Sequence, residues 1–336
     1  MIGTSLLFSG SIGGLLTPFD SVAPTAGYSL RNLGLSYSGA VVRVRKDITG
    51  NPEQDFTAGQ ITNGTLSDFL ETLGTDAHSQ SVSTQFEDLS DVSLICDCNS
   101  GGTDELDAFD ALYENGFVSK WYDQFGSNDA TQTTATDQPK IWDSVTGLVT
   151  ENGKPALDFD GVDDFFIIPD FSHSTTLLCT TIVQNPDSIV SEFMFAHYRT
   201  DNNQRSFAVR FFGNSYGYAT SSNGTAFTIL NSNEITSSQT VYFSQYDGSQ
   251  TGLNRVKGYV NGSQITYSED GISTESLPSS VHSSTADFTI GAFLSAASTG
   301  SSNYDGNMQE LIFYDTDQSA NRTAIEDNIN NYYDIY

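Results

Sequence analysis

The feature that most narrows the fold is a succession of short strand-like runs between residues 175 and 314, each closed by Ser, Asn or Gly. Residues 175–184, 192–198, 206–212, 240–246, 255–260, 264–268, 287–293 and 307–314 read as strands, and their length and turn chemistry predict an antiparallel β-sandwich. Asn261-Gly262, in GYVNGSQITY, predicts a two-residue hairpin turn with both residues at positive φ. Earlier in the chain, Phe117, Ser119 and Trp121 alternate with Val118, Lys120 and Tyr122, which is the period of a strand. Leu157 and Phe159 mark a further pleat that ends at the turn dipeptide Asp160-Gly161.

Helices are few. Thr65 and Asp68 have capping-box spacing and lead into Leu66, Phe69, Leu70 and Leu73. Residues 104–113 carry acids in their first turn and stop at Asn115-Gly116. The polar segment 75–103 between them has no period and reads as a long surface loop. The chain ends in an amphipathic helix, with Ser319 as its expected cap and Ile325, Ile329, Tyr332 and Tyr333 along one face. Residues 1–26, rich in Gly, Ser and Leu, read as an amino-terminal arm or tether, with a plain edge strand as the alternative. Residues 27–336 then form one large sandwich domain.

Charge excludes several partners. Thirteen Lys+Arg against 42 Asp+Glu give a net charge of −29. Nucleic acid needs clustered cations, and an anionic membrane surface needs the same. No segment approaches the ~20 apolar residues of a membrane span, and no basic residue precedes the apolar run at the amino terminus, so neither membrane insertion nor a signal peptide is expected. Arg31, Arg43, Arg45 and Lys46 fall close together, and in so acidic a chain they are expected to pair with internal carboxylates. Cys96 and Cys98 are too close for an ordinary disulfide and do not form a CxxC pattern. With Cys179 alone and His78, His173, His197 and His282 scattered, free thiols and no zinc site are expected.

Two groups of segments carry a resemblance. YSLRNLGLSYSGAVVRVRK together with GFVSKWYDQFGSNDATQ, QPKI and NGKPALDFDG resembles the catalytic sandwich of the family B α-L-arabinofuranosidases. FDGVDDFF, YVNG, FTIGAF and DGNMQELIFYDTDQSANRTAIEDNIN are similar to concanavalin A-like (laminin-G-like) lectin and glucanase domains. The first likeness covers about residues 27–155 and the second 156–336, with 117–166 as the join. The resemblance implies a mainly β fold, a concanavalin A-like jelly roll with a few short helices. It also implies a bacteriophage virion component, a capsid-surface decoration, fibre or tail protein, made in the host cytoplasm and carried on the particle surface. Such a protein would contact other virion proteins through its arm and would form a homo-oligomer, with a trimer as one arrangement. Its outward face would meet host-surface glycans.

Candidate site residues follow. Trp142, Tyr216 and Tyr218 are the aromatic rings considered for stacking on a sugar, each in competition with a core role. Asp158, Asp160, Asp163 and Asp164 surround Gly161 and supply hard oxygen ligands for calcium, the one cofactor considered. Alternation places Asp158 and Asp160 opposite Leu157 and Phe159, where solvated carboxylates need no metal. A retaining glycosidase needs two carboxylates ~5 Å apart, and neither Glu192 nor Glu234 sits in the nucleophile context of the arabinofuranosidases. Glu310 reads as structural. The expectation is therefore no enzyme, with a carbohydrate-specific adhesin and a glycoside hydrolase as the alternatives.

Overall fold

The computed structural model describes residues 17–72, 112–234 and 237–336. Twenty-two of its strands join into one hydrogen-bonded sheet that folds over into two layers, and two short pairs stand apart from it. We label the elements that position the site: α1 Pro18–Ser21, β1 Ala26–Ser29, β2 Val42–Lys46, β3 Gly116–Trp121, β4 Leu157–Asp160, β5 Phe166–Ile168 and β6 Leu177–Pro186. Then come β7 Phe193–Arg199, β8 Gln204–Phe212, β9 Ser215–Thr220, β10 Thr228–Ser232, β11 Thr240–Asp247, β12 Val256–Val260, β13 Phe288–Ile290 and β14 Asp305–Tyr314.

One layer is centred on β14. It pairs antiparallel with β6, which pairs with β11, which pairs with β12. Its other edge is shared by β1, opposite Glu310 to Phe313, and β4, opposite Asp305 to Met308. The second layer runs from β13 through β7, β8 and β9 to β10. Alternation turns one face of each layer inward. Tyr216 meets Tyr242 with ring centroids 4.4 Å apart, and Phe207 meets Phe313 at 5.9 Å. Burial of these rings supplies the main driving force, since each removes a large apolar area from water.

The β14 layer also has a covered outer face. Val183, Val241, Phe243 and Ile312 there pack against Ile325, Ile329 and Tyr333 of the carboxy-terminal helix Arg322–Tyr333 and against Phe19 of α1. The expected apolar face of that helix is present. Its start differs, because Asn321 precedes the first helical residue and Ser319 lies two residues farther out, its N–H given to Asp317. Thr65 likewise begins the helix Thr65–Leu70 from inside, with Gly64 before it at φ +100°. Asn261 and Gly262 take φ +49° and +76°, the hairpin turn expected between β12 and the strand Ser263–Ile265.

Of the segment read as an arm, residues 1–16 lie outside the described residues. Residues 17–26 are part of the fold: Phe19 is fully buried and Thr17 caps α1 with a reciprocal bond to Asp20. The helix expected at 104–113 also lies outside the described residues, except for the short strand Leu112–Tyr113. So do Leu73, His78, Cys96, Cys98 and the segment 75–103. Cys179 is a free, buried thiol pushed up to about 12 by burial.

The segments that carry the front-half resemblance lock onto each other. Asp123 accepts from the N–H groups of Gly27, Phe125 and Asn128, and Gln124 binds Leu33, Ser29 and Arg31 through backbone groups. Arg31 reaches β14, where both oxygens of the buried Glu310 take its Nε and Nη2 at 2.7 and 3.0 Å. Ser29 and Tyr333 donate to the same carboxylate. Arg43 pairs with Asp55, Arg45 with Asp47, and Lys46 bonds the carbonyl of Glu71. Removing one partner of a buried pair leaves the other uncompensated, so Glu310→Ala should lower stability in urea unfolding by about 3–5 kcal/mol. Arg31→Met with Glu310→Leu should recover most of that loss, and a single-variant cost near zero would contradict a structural role for the pair.

Candidate functional site

Three distant segments build an open cleft of ≈ 530 Å³ at one end of the sandwich. The turn after β4 supplies Gly161 and Val162, the approach to β7 supplies Val190, Ser191 and Glu192, and the segment before β14 supplies Ser301 to Asn303. The turn is shaped by its own carboxylates. Asp160 accepts the N–H groups of Val162 and Asp163, and Asp164 folds back to accept that of Asp160. Gly161 sits at φ +71°, and a Cβ there would lie 2.7 Å from that of Asp305, so glycine lets Asp305 close on the turn. Glu192 accepts the N–H of Asp305 at 3.2 Å, tying the second wall to the first.

The result is a concentration of negative charge. Carboxylate oxygens of Asp160, Asp163 and Asp164 lie within 4.8 Å of one another. Burial, then the charges of Asp160, Asp163 and Asp158, pushes Asp164 up to about 7. Burial also raises Asp305, with Asp187 and Asp160 adding to it, and raises Glu192. Val162 and Val190 are 73% and 63% exposed, an unusual placing for β-branched apolar side chains on either side of a charged cleft. The arrangement offers hydroxyl, amide and carboxylate acceptors beside two small apolar faces. Three hard oxygen donors suit a calcium ion by type, although they are one turn's worth of ligands and fewer than the six to eight such an ion takes.

The residues singled out from sequence divide sharply. Asp160, Asp163 and Asp164 come together, while Asp158 stands apart on β4, raised by burial with Lys140 acting against the shift. Tyr216 and Tyr218 do not face a ligand. Both are fully buried on β9, with the Tyr216 hydroxyl held by Gln184 and Thr240, and no ring face is open to a sugar. Trp142 is half-buried, packs against Tyr113 at 5.6 Å and does not line the cleft. Ser191 and Asn303 carried no signal in the sequence, and Glu192, weighed there only against a nucleophile context, joins them because the fold assembles their segments. Two of the scattered histidines also meet: His173 Nε2 lies 3.0 Å from His197 Nδ1, and His197 Nε2 bonds the Ala286 carbonyl. That direct contact leaves no room for a metal between the rings.

No protein-family model matches the chain, and no curated protein matches it. Solved structures similar to this chain include the CBM40 domain of the Ruminococcus gnavus IT-sialidase bound to α2,3 sialyllactose, at 12% identity and TM-score 0.34 over 45% of this chain and 83% of that one. Domain 4 of AbnA, an extracellular arabinanase from Geobacillus stearothermophilus in complex with arabinotriose, gives 15% identity and TM-score 0.32 over 50% and 74%. The binding domain of botulinum neurotoxin serotype C1 gives 10% and 0.37 over 58% and 50%. The first two of these structures hold sialyllactose and arabinotriose, and the third is the binding domain of a toxin. At such low likeness no ligand or residue is carried over from them.

The acidic turn makes stability depend on pH. Asp164 titrates higher folded than unfolded, so the native state binds the extra proton, and its favourable contribution is complete below the unfolded value of about 4 and lost as pH rises through about 7. Asp164→Asn should therefore be more stable than wild type at pH 8, with the gain shrinking toward pH 4, as followed by thermal unfolding. A constant offset across that range would show that Asp164 does not carry the charge strain. Calcium titration in the same assay tests the donor set: an ion held there raises the wild-type midpoint and leaves Asp163→Asn unmoved.

Proposed function

We propose that the protein is a non-catalytic carbohydrate-binding protein and that its ligand lies in the open cleft beside the 160–164 turn. The observation that carries this reading is the combination of exposed Val162 and Val190 with a rim of carboxylate, hydroxyl and amide groups. A sugar presents hydroxyls around its edge and a C–H face between them. Its hydroxyls suit charged acceptors, which make the stronger hydrogen bonds, while its C–H face suits small apolar side chains. The cleft's openness favours a chain end or branch lying across it.

The remaining parts of the proposal come from the resemblance. They place the protein on a bacteriophage particle, outward-facing and self-associated, with host-surface glycan as the natural ligand class and the amino-terminal segment as the attachment to other virion proteins. Because residues 17–26 belong to the fold, a truncation that tests attachment must stop before Thr17. Loss of incorporation into particles on deleting residues 1–16 is the expected result, and normal incorporation would remove the attachment role.

Binding of the full chain to a glycan array tests the cleft directly. Val190→Asp adds a like charge and removes an apolar contact, so it should weaken binding to the best glycan at least tenfold while leaving the unfolding midpoint near wild type. Unchanged binding would remove the cleft from the account. Release of reducing sugar from that glycan, abolished by Glu192→Gln, would instead establish the glycoside hydrolase reading.

A further inference from the structure

Two imidazoles meet at the end of the sandwich away from the cleft. β6 and β14 run antiparallel with Pro186 opposite Gly306, so the start of β6 lies far from the cleft wall of Ser301 to Asn303. There residues 169–176 cross from β5 to β6 and bring His173 against His197, which is fully buried on β7. The carbonyls of Thr175 and Thr176 in this crossover accept the N–H groups of Val281 and Gly248, and Phe171 stacks on Phe288 at 4.3 Å. Phe207, Phe288 and Phe313 close edge-on around His173.

The contacts of these rings fix where their protons sit. His173 Nδ1 lies 2.7 Å from the Ser174 carbonyl oxygen, and His197 Nε2 lies 2.9 Å from that of Ala286. A carbonyl only accepts, so each of these outer nitrogens carries a proton, and in a neutral imidazole the other nitrogen is then bare. Neutral rings would therefore turn two lone pairs toward each other, His173 Nε2 on His197 Nδ1, at 3.0 Å. That separation is a hydrogen-bond distance, and a hydrogen bond there needs a third proton. The surroundings suit one positive charge. Asp170 Oδ1 lies 3.5 Å from His197 Nε2, Asp170 and Asp315 favour a charge on His173, and Asp287 stands beside them, accepting the N–H of Asp170. His197 also stacks flat on Phe288 at 4.0 Å, and a ring face attracts a cation. Burial opposes a charge on either ring, and His173 and His282 oppose one on His197, which excludes a second proton.

We propose that the His173–His197 pair holds one proton, shared between its inner nitrogens, and that this proton clasps the 169–176 crossover to β7. Burial alone would leave both rings neutral; the three hydrogen bonds, Asp170 and the face of Phe288 hold the proton against it. Loss of the proton to water sets two lone pairs against each other, so the half-buried His173 withdraws and the crossover loosens. The titration belongs to the pair and to neither ring alone. Below the ordinary histidine value of 6.5 the unfolded chain holds two protons on these side chains and the native pair one, so stability rises with pH. Above 6.5 the unfolded chain holds none while the native pair keeps its one, so stability falls as pH rises. The clasp is thus a pH-sensitive device that contributes most near 6.5 and opens in alkali. It does not depend on what the cleft binds.

Urea unfolding of the full chain between pH 5.5 and 9, wild type against His173→Gln, tests the clasp. Glutamine carries its amide at the reach of Nε2 and donates to His197 Nδ1 at any pH, while every other titrating group cancels in the difference. The difference should be flat below pH 6.5. Above it, the folding constant of wild type should fall relative to the variant by up to roughly tenfold per pH unit, the effect of one proton. Amide hydrogen exchange should follow, with protection of Val281 and Gly248 in wild type dropping below that in the variant above pH 8. Nitrogen-15 NMR of the wild-type imidazoles at pH 7 should show three protons on the pair, one of them shared by the inner nitrogens. Two bare inner nitrogens at pH 7 would overturn the proposal. So would a difference that is flat throughout, or one that falls only as pH drops below 6.5. Should His173→Gln fail to fold, the wild-type nitrogen spectrum decides alone.

Discussion

The architecture depends on one buried carboxylate. Glu310 sits within β14, which pairs with β1, β4 and β6, and it is fully buried. Such a group is tolerated only with its lone pairs satisfied and its charge matched. Arg31 supplies the charge from just past β1, Ser29 a hydroxyl from β1 itself, and Tyr333 a phenol from the last turn of the carboxy-terminal helix. Tyr332 also stacks beside the Arg31 guanidinium at 4.9 Å. The first and last described parts of the chain are thereby fixed to the central strand. A shift of β1 by one residue would turn Ser29 to the opposite face and strand the carboxylate, so the same contact also sets register.

Fixing β14 in turn positions the cleft. Asp305, at the start of that strand, rests on Gly161 and gives its N–H to Glu192, so both walls are referenced to one strand end. What results is a polar site on rigid strand ends, with charge that the fold holds together against repulsion. The burden is visible in Asp164, whose proton is retained to about pH 7 because water is kept away and neighbouring carboxylates are close. A hydroxyl donor or a cation placed there would relieve that repulsion, which is the physical ground of the binding role proposed for the cleft.

Much of this was legible in the sequence, and the failures have identifiable causes. The strand runs, the Asn261-Gly262 turn and the internal pairing of Arg31 were readable because period, turn chemistry and charge scarcity are local or compositional signals. Glu310 read as structural from its apolar neighbours, and its burial agrees. Tyr216 and Tyr218, weighed between a sugar-stacking and a core role, belong to the core because every residue of β9 is buried. Ser191 and Asn303 gave no sign of sharing a site with Glu192 because the cleft joins the separate segments 161–162, 190–192 and 301–303, which no spacing rule links. The His173–His197 contact escaped for the same reason.

The central claim is that a glycan occupies the cleft between the 160–164 turn and residues 190–192. Backbone amide NMR during titration with the glycan that binds best on an array tests it most directly. The account predicts progressive shifts centred on Val162, Ser191 and Ser301 that are lost in Val190→Asp. Shifts confined to other surfaces, or none at saturating glycan, would contradict it.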